Sequence, residues 1–315
     1  MNEFWIIFTA SIVAINAALL GAFLLLRKMA MVGDAISHAV LPGIVIAYYF
    51  SGDKTSGLLL LGATLTGVLA AIIIDFLSRK VRIQGDASIG ITYTLLFALG
   101  MIMISTWMKG NVDIDMECVL YGDIALINLD KIMVDETLYL GPRAFYVEII
   151  AFFIIGLALL FGYKGFKILA FNEDYAKSLG INTRYWHYAL MTLVSLTTVV
   201  AFEVVGAVLV VGFLIIPPAT AQLITQKLKR MLFWSAMFGV IAVILGYYVA
   251  IWLNVSITGA MVSVSGCLFF ITLIIQRFIK KIKLVQPFNL IGDEVNNANF
   301  ILINTKNGSK LDKKL

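Results

Sequence analysis

The stretch Gly33-Asp34-Ala35-Ile36-Ser37-His38-Ala39-Val40-Leu41-Pro42-Gly43 sets a carboxylate and an imidazole four residues apart at the head of an apolar run. Positions i and i+4 share one face of a helix, so Asp34 and His38 can point at the same small target. The residues beyond them, Ile44-Val45-Ile46-Ala47, belong in hydrocarbon. An ionisable side chain there costs roughly 2.5–3.5 kcal/mol on insertion scales, so it must face a partner, a cavity or an ion. A divalent cation satisfies both groups at once.

Composition places this pair in a membrane. Of 315 residues, 61% are hydrophobic and only 14% charged, and the mean hydropathy is +0.95. A soluble domain carries about 25% charged residues. The net charge of +5 does not point to nucleic acid, because the basic residues fall between apolar runs. Asn2-Glu3 precede a first apolar run with no small-residue cleavage site, so no signal peptide is expected. Cys118 and Cys267 form no framework, and no zinc-finger, Walker A, Rossmann or HExxH pattern occurs, so neither thiolate metal binding nor nucleotide hydrolysis is expected of the chain itself.

A crossing needs about 20 apolar residues. Nine such spans are expected, at 4–26, 29–50, 58–77, 89–108, 146–163, 188–203, 204–224, 231–253 and 260–279, with a tight reversal between the sixth and seventh around Glu203-Val204-Val205-Gly206. An eight-helix version with one re-entrant run is the second choice. Loop charges orient the bundle. Sixteen bases (Arg27, Lys28, Arg79, Lys80, Arg82, Lys164, Lys167, Lys177, Arg184, Lys227, Lys229, Arg230, Arg277, Lys280, Lys281 and Lys283) fall on one side, against Lys54, Lys109, Lys131 and Arg143 on the other. The N-terminus is therefore expected outside and the C-terminus in the cytoplasm, in a multi-pass plasma (inner) membrane protein. The fold expected is an all-α polytopic bundle, with a transmembrane domain over 1–283 and a polar, mobile cytoplasmic tail over 284–315.

Two loops stand out. The outer loop 109–145 carries Asp113, Asp115, Glu117, Asp123, Asp130, Asp135 and Glu136, a solvated surface or a cation-attracting vestibule. The inner loop 164–187 contains Asn172-Glu173-Asp174-Tyr175-Ala176-Lys177-Ser178-Leu179-Gly180, a short helix that Asn172 can cap and Gly180 can end. So short a helix outside the bilayer reads as a docking element for another protein, through Glu173, Asp174, Ala176, Leu179 and Gly180.

With the second helix starting at Met29, Asp34 lies about 8 Å and His38 about 14 Å along it. Pro42 removes a backbone donor, and with Gly43 a helix break is expected beside the pair. Pro217-Pro218 is expected to break a second helix. Glu203 is isolated among Val199–Val205 and is the third candidate ligand; a turn exposed to outer water is its plainer explanation. Carboxylate, imidazole and carboxylate together suit Mn, Fe or Zn better than Mg or Ca. Asp75 reads as an interfacial acid pairing with Arg79 and Lys80, and His187, between Trp186 and Tyr188, as a member of the interfacial aromatic belt.

The first motif resembles the signature of permease subunits of metal-ion ABC importers of the manganese/zinc/iron group. Val205-Gly206-Ala207-Val208-Leu209-Val210 followed by Ile215-Ile216-Pro217-Pro218-Ala219-Thr220-Ala221 resembles that family's second signature. Asp113-Ile114-Asp115-Met116-Glu117-Cys118-Val119-Leu120-Tyr121-Gly122-Asp123 is similar to an outer-loop segment of its manganese/iron members. The likeness runs from about residue 4 to 280 and departs where Pro217-Pro218 replaces the usual Pro-Ala. It implies a two-permease core like those of cobalamin and siderophore importers, the second permease being identical or homologous. It further implies cytosolic ABC ATPase subunits docked on Glu173–Asn182, an extracytoplasmic metal-binding protein, and a transport site at Asp34 and His38 with Glu203 as the acid before the second signature. The tail is too short for the regulatory domain fused to some relatives. The chain is then no enzyme and holds no permanent cofactor; its cargo is a divalent Mn, Zn or Fe ion. The alternative is a secondary carrier that works without ATP.

Overall fold

A computed structural model describes residues 2–52, 57–107, 124, 131–133, 139–171, 173–178 and 180–279. Helix α1 runs over Asn2–Leu26, α2 over Met31–Ala39, α3 over Leu41–Ser51, α4 over Gly57–Arg79 and α5 over Gly85–Trp107. A two-stranded antiparallel hairpin follows, β1 Lys131–Met133 and β2 Tyr139–Pro142. Then come α6 Arg143–Phe171, α7 Glu173–Ser178, α8 Thr183–Val205, α9 Ala207–Ile224, α10 Leu228–Leu253 and α11 Ile257–Ile279. Residues 1–272 form one compact unit, and a second begins at Leu273. The expected tail, 284–315, lies outside the described residues, as do the acids of the outer loop.

Among the described residues, nine helical segments are long and apolar enough to cross a membrane, with α2 and α3 together making one of them. Burial sorts these segments into an inner and an outer set. In their most apolar stretches, 72% of residues are buried in α1, 67% in α2–α3 and 72% in α8, against 17% in α11 and 22% in α5 and α6. The inner set thus contains the Asp34/His38 helix, and the outer set turns apolar side chains such as Phe161 and Phe270 outward. Such a surface is stable only against lipid or further protein.

Small residues set the spacing. A Cβ added to Gly43 would collide with the Thr66 hydroxyl and the Gly62 carbonyl, and one on Gly62 would meet the Gly43 carbonyl and Ala47. The backbones of α3 and α4 therefore touch through Gly43/Ala47 and Gly62/Thr66, each pair four residues apart. Gly43, expected to loosen the helix, instead packs inside it. Pro217 and Pro218 also lie within continuous helix α9, against expectation. The two ladder bonds they cannot donate are those to the carbonyls of Phe213 and Leu214. The Leu214 carbonyl is pressed against Gly21 of α1, where no side chain intervenes, so α1 supports the gap that would otherwise open the helix.

Two boundaries differ from expectation. The fifth span continues eight residues past Tyr163 to Phe171, through Gly165, whose missing side chain leaves room for the Trp186 ring packed against the helix. Between α8 and α9, where a tight reversal is expected, the single residue Gly206, at a positive φ of 77°, separates the two helices.

Candidate functional site

Helix α2 begins at Met31, two residues later than expected, so Asp34 lies about 5 Å and His38 about 11 Å along it. Asp34 occupies the first turn of α2 and His38 the last. The N-cap is Ala30, so Asp34 is not spent on capping. The two side chains meet: His38 Nε2 is 3.7 Å from Asp34 Oδ1. Their side chains are 36% and 38% exposed, although the residues around them on α2, Ala35, Ile36, Ser37 and Ala39, are buried. The pair thus opens outward from an otherwise packed helix. Its wall is aromatic: the His38 ring lies 6.1 Å from that of Tyr93 and 6.2 Å from that of Phe97, one turn apart on α5.

Behind the pair, α2 passes into α3 at Val40 without an intervening loop. Val40 ends α2 and starts α3 with helical angles, and the bonds Val40 N to Ile36 O (3.2 Å) and Ile44 N to Val40 O (3.1 Å) are kept. The bond Pro42 cannot make is the one to the His38 carbonyl, so the break falls on the candidate ligand itself. A Cβ on Gly33 would strike the Leu214 side chain, so the first motif touches α9 just ahead of Pro217-Pro218.

Glu203 stands apart from this pair. It is exposed in the last turn of α8, next to the Gly206 break, and among the described residues no three His, Cys, Asp or Glu side chains gather as a metal site. The expected set of three thus resolves within one chain into a pair and a separate acid. Near Glu203 is a carboxyl that sequence reasoning missed. Glu148 of α6 is 1% exposed; Asn16 of α1 donates to its Oε2 at 3.5 Å, and Glu203 acts on it electrostatically. Its other oxygen, like the Asn16 carbonyl oxygen, has no protein partner among the described residues. The signal was present as a lone acid in Phe145–Ile155, masked by its nearness to Arg143.

The docking element forms as a six-residue helix, α7. Gly180, at φ 72°, ends it with Gly180 N bonded to Lys177 O (3.0 Å) and Ile181 N to Ala176 O (3.1 Å), the paired bonds of a Schellman stop. Ala176 is buried and Tyr175 is 47% exposed, so the helix is anchored on one side and presents the other. Asn172 and Leu179 lie outside the described residues, and of Glu173 and Asp174 only the helical backbone is described. A Gly180→Ala change forces a Cβ into left-handed backbone and should cost about 1 kcal/mol at this stop. The expected outcome is faster amide exchange over 173–181 with the rest of the chain unchanged.

At the end of the bundle holding the C-terminus of α1, Asp75 pairs with Arg79 as expected. It also faces His187, whose side chain is only 3% exposed; His187 is a buried group and not a belt residue, because its partners come from α1 and α4.

The ABC 3 transport family matches this chain over residues 2–276. The chain is 43% identical over 264 residues to the manganese transport system membrane protein MntD of Bacillus subtilis (strain 168), covering 84% of this chain and 88% of that protein. It is 35% identical over 266 residues to the zinc transport system membrane protein TroD of Treponema pallidum (strain Nichols), covering 84% and 71%. Among solved structures, PsaBC from Streptococcus pneumoniae in complex with Fab superposes with a TM-score of 0.72 at 34% identity, covering 89% of this chain and 95% of that one.

Proposed function

This chain belongs to the ABC 3 transport family, and from that membership we propose that it is the membrane permease subunit of an importer carrying a divalent transition-metal ion into the cytoplasm. The cargo class is Mn, Zn or Fe; relatives named for manganese and for zinc support it. The observation that carries the reading is the Asp34/His38 pair, 3.7 Å apart and open on an inner helix. One carboxylate and one imidazole suit borderline dications, and so few protein ligands let the ion leave again. A second permease, identical or homologous, closes the open side of the pair against α5. Glu203, exposed beside the Gly206 break, stands towards the outer mouth as an acid that draws cations in.

Loop charge puts the N-terminus outside and the C-terminus in the cytoplasm of the plasma membrane. Cytosolic ABC ATPase subunits then dock on α7 and hydrolyse the ATP, so this subunit is not itself an enzyme, and an extracytoplasmic metal-binding protein delivers the ion. A secondary carrier would need none of these partners, and membership of an ABC family speaks against it. The test is vesicle uptake of competing radiolabelled Mn, Zn and Fe by the assembled complex. Uptake strictly dependent on ATP and on the binding protein is expected, and uptake without either overturns the reading.

A proton and a metal ion compete for His38 Nε2. Uptake should therefore fall as the outer face is acidified and recover on return to neutral pH. An outer-face pH profile of initial rates checks this.

A further inference from the structure

At the end of the bundle assigned to the cytoplasm lies a second acid–histidine pair, which the transport site does not use. His187 Nε2 is 3.6 Å from Asp75 Oδ1, close to the spacing of His38 and Asp34, but its surroundings give it a different task. An Arg27 Nη1 lies 2.7 Å from His187 Nδ1. A guanidinium can only donate, so Nδ1 is the acceptor and the imidazole proton sits on Nε2, facing Asp75. That nitrogen has no lone pair left for a metal. Asp75 is also engaged, by Arg79 and by the Tyr188 hydroxyl, which donates to its Oδ2 at 3.3 Å. A metal station is therefore excluded by the tautomer. The arrangement is a chain of hydrogen-bonded and charged groups, Arg27–His187–Asp75–Arg79, that ties the C-terminal end of α1 to the first turns of α8 and the last turns of α4.

The tie borders a cavity of about 470 Å³. Its wall includes Leu169, Ala170 and Phe171, the end of α6, which a single residue separates from the start of α7. Among the described residues, the ionisable groups around His187 include Arg27 and Lys28 after α1, Asp75 and Arg79 on α4, Asp86 on α5, and Arg184 and Tyr188 on α8 itself; Leu169, Ala170 and Phe171 of the wall carry none. A second proton on His187 would go to Nδ1, where it would point at the guanidinium 2.7 Å away, donor against donor and cation against cation. The Arg27 bond cannot survive that change, whereas the contact with Asp75 can.

We infer that His187 is a positioning residue whose neutral Nε2–H form latches α1 to α8 and α4 at the cytoplasmic end beside the coupling helix, and that protonation from the cytosol releases the latch and slows transport. The latch itself follows from geometry alone; its effect on transport rests on the permease reading, and the two are tested separately. His38 and His187 are the only histidines, so the full chain in nanodiscs with 15N-labelled imidazoles gives two ring systems, assigned with H38Q. The expected spectrum near neutral pH shows His187 as a single Nε2–H tautomer that becomes a mixture of tautomers in Arg27→Met. An Nδ1–H form in the unaltered chain, or an unchanged spectrum in Arg27→Met, overturns the latch.

For the second test, the assembled complex is placed in vesicles with the cytoplasmic face outward, with radiolabelled metal and the binding protein in the lumen and ATP in the bath, so that uptake is read as passage of metal from lumen to bath, and the bath is taken from about pH 7.5 to about pH 6. Uptake by the unaltered protein should fall about fivefold. In His187→Asn, whose amide oxygen accepts from Arg27 but takes no proton, the profile should be flat while uptake at the higher pH is kept. Parallel profiles for the two proteins overturn the proposed role of His187. Loss of uptake in both counts against the permease reading, and the imidazole spectrum then decides the latch by itself.

Discussion

Asp34→Ala and His38→Ala should each lower metal uptake by about two orders of magnitude at equal amounts in the membrane, as expected when one of two protein ligands is removed. The double variant should be little worse than either single one. Two ligands that act on one ion form a unit, so their losses do not add. The pair lends itself to this test because its side chains open outward: at 36% and 38% exposure, trimming them leaves no sealed cavity in the core. Folding should be nearly unaffected, and binding of the partner subunits likewise. His38→Gln should be nearly as inactive as His38→Ala, since an amide is a poor ligand for a borderline dication. Full uptake in either single variant would remove Asp34 and His38 from the pathway.

The second large effect is structural. Gly21→Val should prevent α1 and α9 from packing, because the added Cβ runs into the backbone of Leu214 and not into a side chain that can turn away. Overpacking costs about 1–3 kcal/mol where side chains can adjust, and a backbone pinned between Gly21 and Pro217-Pro218 adjusts less. The same contact supports the Leu214 carbonyl left without its ladder donor and the Leu214 side chain resting on Gly33, one residue before Asp34. Loss of folded protein in a detergent thermal-shift assay is expected. Gly156→Ala is the contrasting variant, since nothing lies within 4 Å of its added Cβ; it should match the parent protein or exceed it slightly. Equal stability of Gly21→Val and Gly156→Ala would refute the close approach of α1 and α9.

What could be read from the chain alone follows a physical division. Apolar length gives the spans, and the nine helical segments lie close to where hydrophobicity put them. Local chemistry gives the Asp34/His38 face and the Gly180 stop, because i to i+4 contacts and left-handed caps depend on near neighbours only. Misreadings arose where the deciding partner is remote in sequence. Gly43 was read as loosening its helix because Gly62 and Thr66 cannot be seen from Pro42-Gly43. Pro217-Pro218 was read as a break because Gly21, nearly 200 residues away, holds the carbonyl they orphan. His187 read as an interfacial ring until Arg27 and Asp75 were found on either side of it. Glu203 joins the pair by charge and by the family likeness, whereas in the fold its electrostatic neighbour is the buried Glu148. The hairpin of Lys131–Met133 and Tyr139–Pro142 has too few residues to show a strand period.

The claim that an imidazole and a carboxylate on one turn of α2 hold the passing ion is tested most directly by pulsed electron paramagnetic resonance of Mn(II) trapped in the complete complex. The account predicts nitrogen modulation of the Mn(II) echo that vanishes in His38→Gln and persists in His187→Asn. An echo without nitrogen, or one unchanged by His38→Gln, would contradict it.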